Sequence, residues 1–232
     1  MIMGYIDSLV ICDIIRIVNK KNEIYKVVNK TEDDYFIKDI DDSNELAFCK
    51  AQEIAYILQL DMYGNGFYKG VYELPNDLCA KILITDCDLD AIAREKLLYN
   101  YIKREKPELL QFLAPILACG DNFLITKRGV PCNMLDWSDD IIVNEYHINS
   151  IIKLFERNGI IFDDLENRID NFGIIDGKLV IMDYDSWQFG WEREVELTAQ
   201  VNRINALKFG VECTKDASQK FTDMIGNEME VV

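Results

Sequence analysis

Residues 10–40 place apolar and polar side chains in short alternating runs. Ile15-Arg16-Ile17-Val18, Glu23-Ile24-Tyr25-Lys26-Val27-Val28 and Tyr35-Phe36-Ile37-Lys38 read as three short strands, with Asn19-Lys20-Lys21-Asn22 as the first turn. The period then lengthens. Ser43 or Asn44 caps a helix running to about Leu60, whose apolar face is Ala47, Ala51, Ile54, Ala55 and Leu58. Strands near 67–74 and 78–84 follow as a hairpin turned by Pro75-Asn76-Asp77. A helix over roughly 88–105 stops before Pro107, because the residue ahead of a proline avoids the helical region. Strands are expected at 114–118 and 122–127, separated by Gly120-Asp121. Ile148, Ile151, Ile152 and Phe155 recur at helical spacing and predict a helix over 143–158, ended by Gly159. A second hairpin, 172–176 with 178–183, turns at Asp176-Gly177, and the chain from about Glu192 reads as helical. Strands with one or two helices come first, then helices with a small hairpin. That order predicts a two-lobed α+β protein with a cleft. Residues 1–57 form strands plus a helix, as an added module or part of the first lobe; 58–129 form that lobe and 130–232 a short second one.

Composition narrows the function. The 232 residues are 49% hydrophobic, enough to bury a core in one domain or two small lobes. No apolar run approaches the length that spans a bilayer, and Met1-Ile2-Met3-Gly4-Tyr5 has no basic n-region, so a cytoplasmic protein is expected, with no membrane partner. The seven cysteines include no CxxC pair and there is one histidine, which argues against structural zinc and for reduced thiols. A net charge of −16 repels nucleic-acid backbones; the acidic surface reads first as a solvated one, and otherwise as one that recognises a basic protein partner or mimics nucleic acid.

Four stretches carry candidate chemistry. Gly64-Asn65-Gly66-Phe67-Tyr68-Lys69-Gly70 puts glycines between strands, where backbone N–H groups can approach phosphates. Lys81 interrupts the apolar strand Cys79-Ala80-Lys81-Ile82-Leu83-Ile84, either as an edge lysine or as a cation aimed into a cleft. Glu95 lies on the apolar stripe of the next helix, beside Ile92, Leu98, Tyr99 and Ile102. A carboxylate buried there needs a partner, and Lys81 is the natural one; a solvated margin of the helix is the equal alternative. Asn171 and Asp183 stand on the two ends of the second hairpin, 12 residues apart, as hard oxygen donors suited to Mg2+ held with phosphates.

The order of glycine loop, strand lysine, helix glutamate, asparagine and then aspartate after a hairpin resembles the protein-kinase-like superfamily, over roughly residues 58–190. The compact hairpin resembles small bacterial and bacteriophage serine/threonine kinase-like proteins. The resemblance implies a two-lobed kinase-like fold with a compact C-lobe, and ATP and Mg2+ as cofactors. Gly64 and Gly66 would cover the phosphates, Lys81 would contact them and pair with Glu95, and Lys127, Arg128 and Gly129 would form the hinge beside adenine. Asn171 and Asp183 would hold the metal, and catalysis would come from positioning and charge neutralisation. The acceptor implied is a serine or threonine of a protein.

The catalytic loop departs from the family pattern. It reads Asp163-Asp164-Leu165-Glu166-Asn167-Arg168-Ile169-Asp170-Asn171, without His-Arg-Asp. Asp164 is taken as the base or hydroxyl-orienting residue, with Glu166 second. A second lysine–glutamate set, Lys38 with Glu45 and Glu53, resembles the layout of HipA-type kinases but lacks a preceding glycine loop. Two other functions compete: a pseudokinase or acidic interaction module without turnover, and a metal-dependent glycosyltransferase or phosphatase using Asp183 and Asp185.

Overall fold

The computed structural model describes residues 8–35, 43–85, 91–134, 145–163, 165 and 169–190. The chain divides into two compact units, Met1–Trp187 and Gln188–Val232, and the elements discussed belong to the first. The fold is mixed α+β with antiparallel sheets.

The described residues open with helices, not strands. α1 covers Ser8–Asn19 and α2 covers Lys21–Val28, so the strands expected at Ile15–Val18 and Glu23–Val28 are corrected. The buried positions Val10, Asp13 and Ile17, then Ile24, Val27 and Val28, follow the helical repeat. Alternation arose because α1 also carries apolar residues on its outer face: Ile15 and Val18 are 51% and 53% exposed. The turn expected at 19–22 is real, since the two helices part at Lys20. Tyr35 ends a short 3-10 turn, Glu32–Tyr35, and Phe36-Ile37-Lys38 lie outside the described residues. α3 spans Ser43–Leu58 and buries Ala47, Ala51, Ile54 and Leu58 as expected. Gln59 closes it in the left-handed region at φ 54°.

A five-stranded sheet follows, in the order β1-β2-β3-β5-β4. Its strands are β1 (Met62–Asn65), β2 (Lys69–Leu74), β3 (Leu78–Leu83), β4 (Ile116–Cys119) and β5 (Phe123–Lys127). β1 was not anticipated; the β2–β3 hairpin was, with Asn76 and Asp77 at positive φ in its turn. Strand alternation divides the sheet's two faces. Tyr72, Leu74, Leu78, Ala80, Ile82, Phe123 and Ile125 join the apolar sides of α1, α2 and α3 in one core. The Tyr72 hydroxyl donates to the Ala51 carbonyl at 3.0 Å, and the buried Lys50 ammonium donates to the Val28 carbonyl at 2.7 Å. The opposite face carries Lys69, Val71 and Glu73 of β2 opposite Leu83, Lys81 and Cys79 of β3. α4 (Ala91–Glu105) lies on that face, held there by the Glu95–Lys81 pair.

The rest of the unit is smaller. β6 (Val130–Pro131), β8 (Phe172–Ile175) and β9 (Lys178–Ile181) form an antiparallel sheet in the order β6-β8-β9. Asp176 and Gly177 turn the β8–β9 hairpin at φ 50° and 72°, as the Asp-Gly pair predicts. α5 (Glu145–Arg157) precedes β7 (Ile160–Phe162), with Gly159 at φ 78° between them. The tail expected to be helical from Glu192 lies outside the described residues. Gly173 faces tight quarters: a Cβ there would stand 2.7 Å from Met182 Cε and 2.8 Å from the Val130 carbonyl oxygen. The side chain could yield but the backbone of the paired strand could not. Gly173→Ala is expected to cost about 1–3 kcal/mol, read as a lower urea midpoint at unchanged slope. An unaltered midpoint would contradict this packing.

Candidate functional site

β3 is buried along its length apart from its last residue, and Lys81 stands at its middle with Val71 and Leu124 as cross-strand neighbours. A buried ammonium needs anions or carbonyls around it. It donates to Glu95 Oε2 at 2.8 Å and Oε1 at 3.0 Å, and to the Met182 carbonyl at 2.5 Å. It also lies 5.6 Å from the Tyr184 ring centroid. Glu95 sits on the buried stripe of α4 with Ile92, Leu98 and Ile102, and is 1% exposed. Of the two alternatives for Lys81, the structure takes the inward-facing one.

The β8–β9 hairpin folds Asn171 and Asp183 back together. The Asn171 carbonyl accepts the Met182 N–H at 2.7 Å and the Asp183 N–H at 3.3 Å. Asp183 then meets a residue that sequence reasoning passed over. Lys69, at the start of β2, donates to Glu95 Oε1 at 2.5 Å and Asp183 Oδ1 at 2.5 Å, and reaches Asp185 Oδ2 at 2.8 Å. Three carboxylates thus surround the ammonium, two of them as hydrogen-bond acceptors. The signal for Lys69 was available in the hairpin register. A turn at 75–77 pairs Val71 with Lys81, which places Lys69 two residues along on the same face.

Arg94, the neighbour of Glu95, clamps α4 from its other side. Its guanidinium donates to the Asp185 carbonyl at 2.6 Å and to the Trp187 carbonyl, and it stacks over the Trp187 ring at 5.3 Å. The Tyr184 hydroxyl donates to the Ala114 carbonyl at 2.9 Å. The segment from Asp183 to Trp187 is thus fixed from three directions.

The cluster holds two ammonium groups against three carboxylates. Burial alone would strip the charge from Lys69, but Asp183, Glu95 and Asp185 outweigh it and hold its pKa well above the ordinary value. Burial likewise pushes Glu95 up, and Lys69 and Lys81 offset this only in part. For Asp183 burial also acts upward, yet Lys69 and Lys81 prevail and draw the carboxyl below the usual range. Cys79, on the same face as Lys81, is no nucleophile near neutral pH: burial pushes its thiol up to about 11.

The donor set fits a hard divalent cation. One oxygen from each of Glu95, Asp183 and Asp185 lies within 4.8 Å of the others. Carboxylate oxygens are the donors that Mg2+ prefers. The Lys69 ammonium, seated among all three, marks the point where their negative charge converges. Asp185, which the sequence offers beside Asp183 in the run Asp183-Tyr184-Asp185 but not as a kinase metal ligand, therefore joins Asp183 at the cluster.

The remaining expected residues are spread more widely. Gly64 lies in β1 and Gly66 opens the β1–β2 turn, with its N–H donating to the Lys69 carbonyl at 2.8 Å. A Cβ at Gly64 would meet nothing within 4 Å, and one at Gly66 only the Lys69 carbonyl at 4.0 Å. These glycines leave room above the turn without adopting positive φ. Lys127, at the end of β5, pairs with Asp176 at 2.5 Å on the surface, away from the cluster. Arg128 is taken by Glu73 and Asp77, each at 3.0 Å. Gly129 is nearer: its carbonyl accepts the Tyr63 hydroxyl at 3.1 Å, and a Cβ there would stand 2.6 Å from Met182 Sδ. Asp164, Glu166 and Lys38 lie outside the described residues. Glu53 is engaged by Lys30 at 2.6 Å and by the Tyr35 hydroxyl at 2.8 Å. Among the described residues no helix is long and apolar enough to cross a membrane. No model of a known protein family matches the chain, and no curated protein matches it.

Proposed function

We propose that this chain is a kinase-like phosphotransferase that binds ATP with Mg2+ and passes a phosphoryl group to a protein serine or threonine. One observation carries the reading. Lys81 from the sheet, Glu95 from α4 and Asp183 from the end of the β8–β9 hairpin, far apart in sequence, converge in one buried ionic cluster. A lysine held by a helix glutamate beside a metal-binding aspartate is the minimum apparatus for positioning a nucleoside triphosphate and neutralising its charge. In this reading the two lobes meet at the cluster, the second being the compact one. Gly64 and Gly66 leave space for phosphates above the β1–β2 turn, Lys81 contacts them, and Gly129 borders the adenine with Lys127 at the outer rim. Asp183, with Asn171 and Asp185, holds Mg2+, which would neutralise charge on the transferring phosphoryl group. Asp164 orients the acceptor hydroxyl.

A second reading has its own support. The Lys69 ammonium fills the place between the carboxylates, an arrangement that suits a nucleotide-free interaction module without turnover.

Thermal unfolding with ATP, GTP and Mg2+ tests the nucleotide directly. Ligand at a hundred times its Kd stabilises by about 2.7 kcal/mol through mass action alone, which for a chain of this size is a rise in Tm of roughly 5–10 °C. The expected result is a rise with ATP and Mg2+ together that exceeds the effect of either alone. No rise at millimolar ATP, with or without metal, would remove the proposal and favour the module.

A further inference from the structure

Lys69 is the one cluster residue that the proposed function leaves without a task. Its side chain is 5% exposed, its ammonium has three carboxylate partners, and it projects from the strand that follows the glycine turn. We propose that Lys69 is a resident counter-ion that a divalent cation displaces, so that metal and lysine take the same three carboxylates in turn. The inference rests on Asp183 and Asp185 as metal ligands in the reading above, takes Glu95 as the third, and adds a regulation to that site.

Three features support it. The first is charge. Glu95, Asp183 and Asp185 with Lys81 alone sum to −2, which one divalent ion neutralises; with Lys69 present the sum is −1, and the same ion would leave an excess positive charge in a buried place. The second is geometry. Lys69 lies 2.5, 2.5 and 2.8 Å from the three oxygens, so an ion bound by all three would have to occupy the space of the ammonium. The third is access. The Asp183 side chain is 37% exposed whereas Glu95 is 1% exposed, so the cluster opens to solvent on the Asp183 side. Lys81 need not move, because it keeps its own hold on Glu95 Oε2 and the Met182 carbonyl.

Mn2+ serves as the probe, with no nucleotide present. Lys69→Met removes the charge while keeping most of the side chain's length, and it is expected to bind Mn2+ at least ten-fold tighter than the native chain in titration calorimetry. Lys69→Arg keeps the charge and is expected to bind as weakly as the native chain. A second arm uses the native protein and does not depend on any variant folding. Reductive methylation followed by mass spectrometry is expected to modify Lys69 several-fold faster once Mn2+ is added, with Lys81 unchanged. Equal Mn2+ affinity in the native chain and Lys69→Met overturns the proposal. If Lys69→Met does not fold, a Lys69 labelling rate indifferent to saturating Mn2+ overturns it instead. Because neither arm contains nucleotide, a failed thermal shift with ATP alongside a successful Mn2+ exchange would dismiss the kinase reading and leave the displacement standing.

Discussion

Asp183→Ala is expected to abolish Mg2+-dependent ATP consumption, a fall of at least about 10²–10³ in rate, the scale seen when one preorganised electrostatic partner of a transition state is removed. The carboxylate is placed for this by two independent constraints. The Asn171 carbonyl holds the Asp183 backbone, and the Lys69 ammonium holds its side chain. Its proton is bound weakly enough, under the pull of Lys69 and Lys81, that it offers a full negative charge throughout the neutral range. Removing it leaves Glu95 and Asp185 against two lysines, a balanced set, so the variant should fold. Asp183→Asn is the sharper test, since it preserves shape and loses only charge. A coupled ATPase or autophosphorylation assay reads the result. A rate unchanged in either variant would mean that the hairpin aspartate does not hold the metal, and the phosphotransfer proposal would fail with it.

Glu95→Ala is expected to produce the largest loss of stability, about 3–5 kcal/mol, because it leaves buried charge without its partner. Glu95 is the shared anion of the cluster: Lys81 reaches both its oxygens and Lys69 reaches one. Without it, two ammonium groups face each other in a buried site with only Asp183 and Asp185 on one flank. The expected Tm fall is roughly 6–20 °C. The cause can be separated from lost packing on α4. In Lys81→Met with Glu95→Met both charges are gone and similar volume remains, so the double variant should recover much of the loss. A Glu95→Ala cost below about 1 kcal/mol, a value ordinary for exposed pairs, would mean that the cluster is solvated.

Much of this arrangement was legible in the chain. α3 and α4 announced themselves because their apolar positions recur at helical spacing, and the two hairpins because Pro75-Asn76-Asp77 and Asp176-Gly177 supply the conformations that tight turns need. Glu95 is legible as a carboxylate on an apolar stripe, either paired with Lys81 or on a solvated margin, and the structure pairs it. The failures have physical causes. α1 carries apolar residues on two faces, one buried and one exposed, so its helical period was hidden. β1 is four residues long and includes a glycine, too short and too plain to register. Lys69 lies inside a glycine-rich stretch whose pattern points to its backbone rather than to its side chain, although its register follows from the turn at Pro75-Asn76-Asp77. The convergence of Asp185 on the same point depends on the path of the chain after β9, which no local pattern fixes.

Met182 joins the two kinds of order in this protein. Its thioether fills the gap between Gly129 and Gly173, while its carbonyl oxygen receives the ammonium of Lys81. One residue is therefore both a wedge in the small sheet and a strut beneath the lysine. Any swelling of that gap tilts the strut, so a fault in apolar fit between the glycines would surface as a misplaced charge several residues away. Defects born in the hairpin and defects born among the ions would look alike in a turnover assay, and only a separate measure of folding would tell them apart.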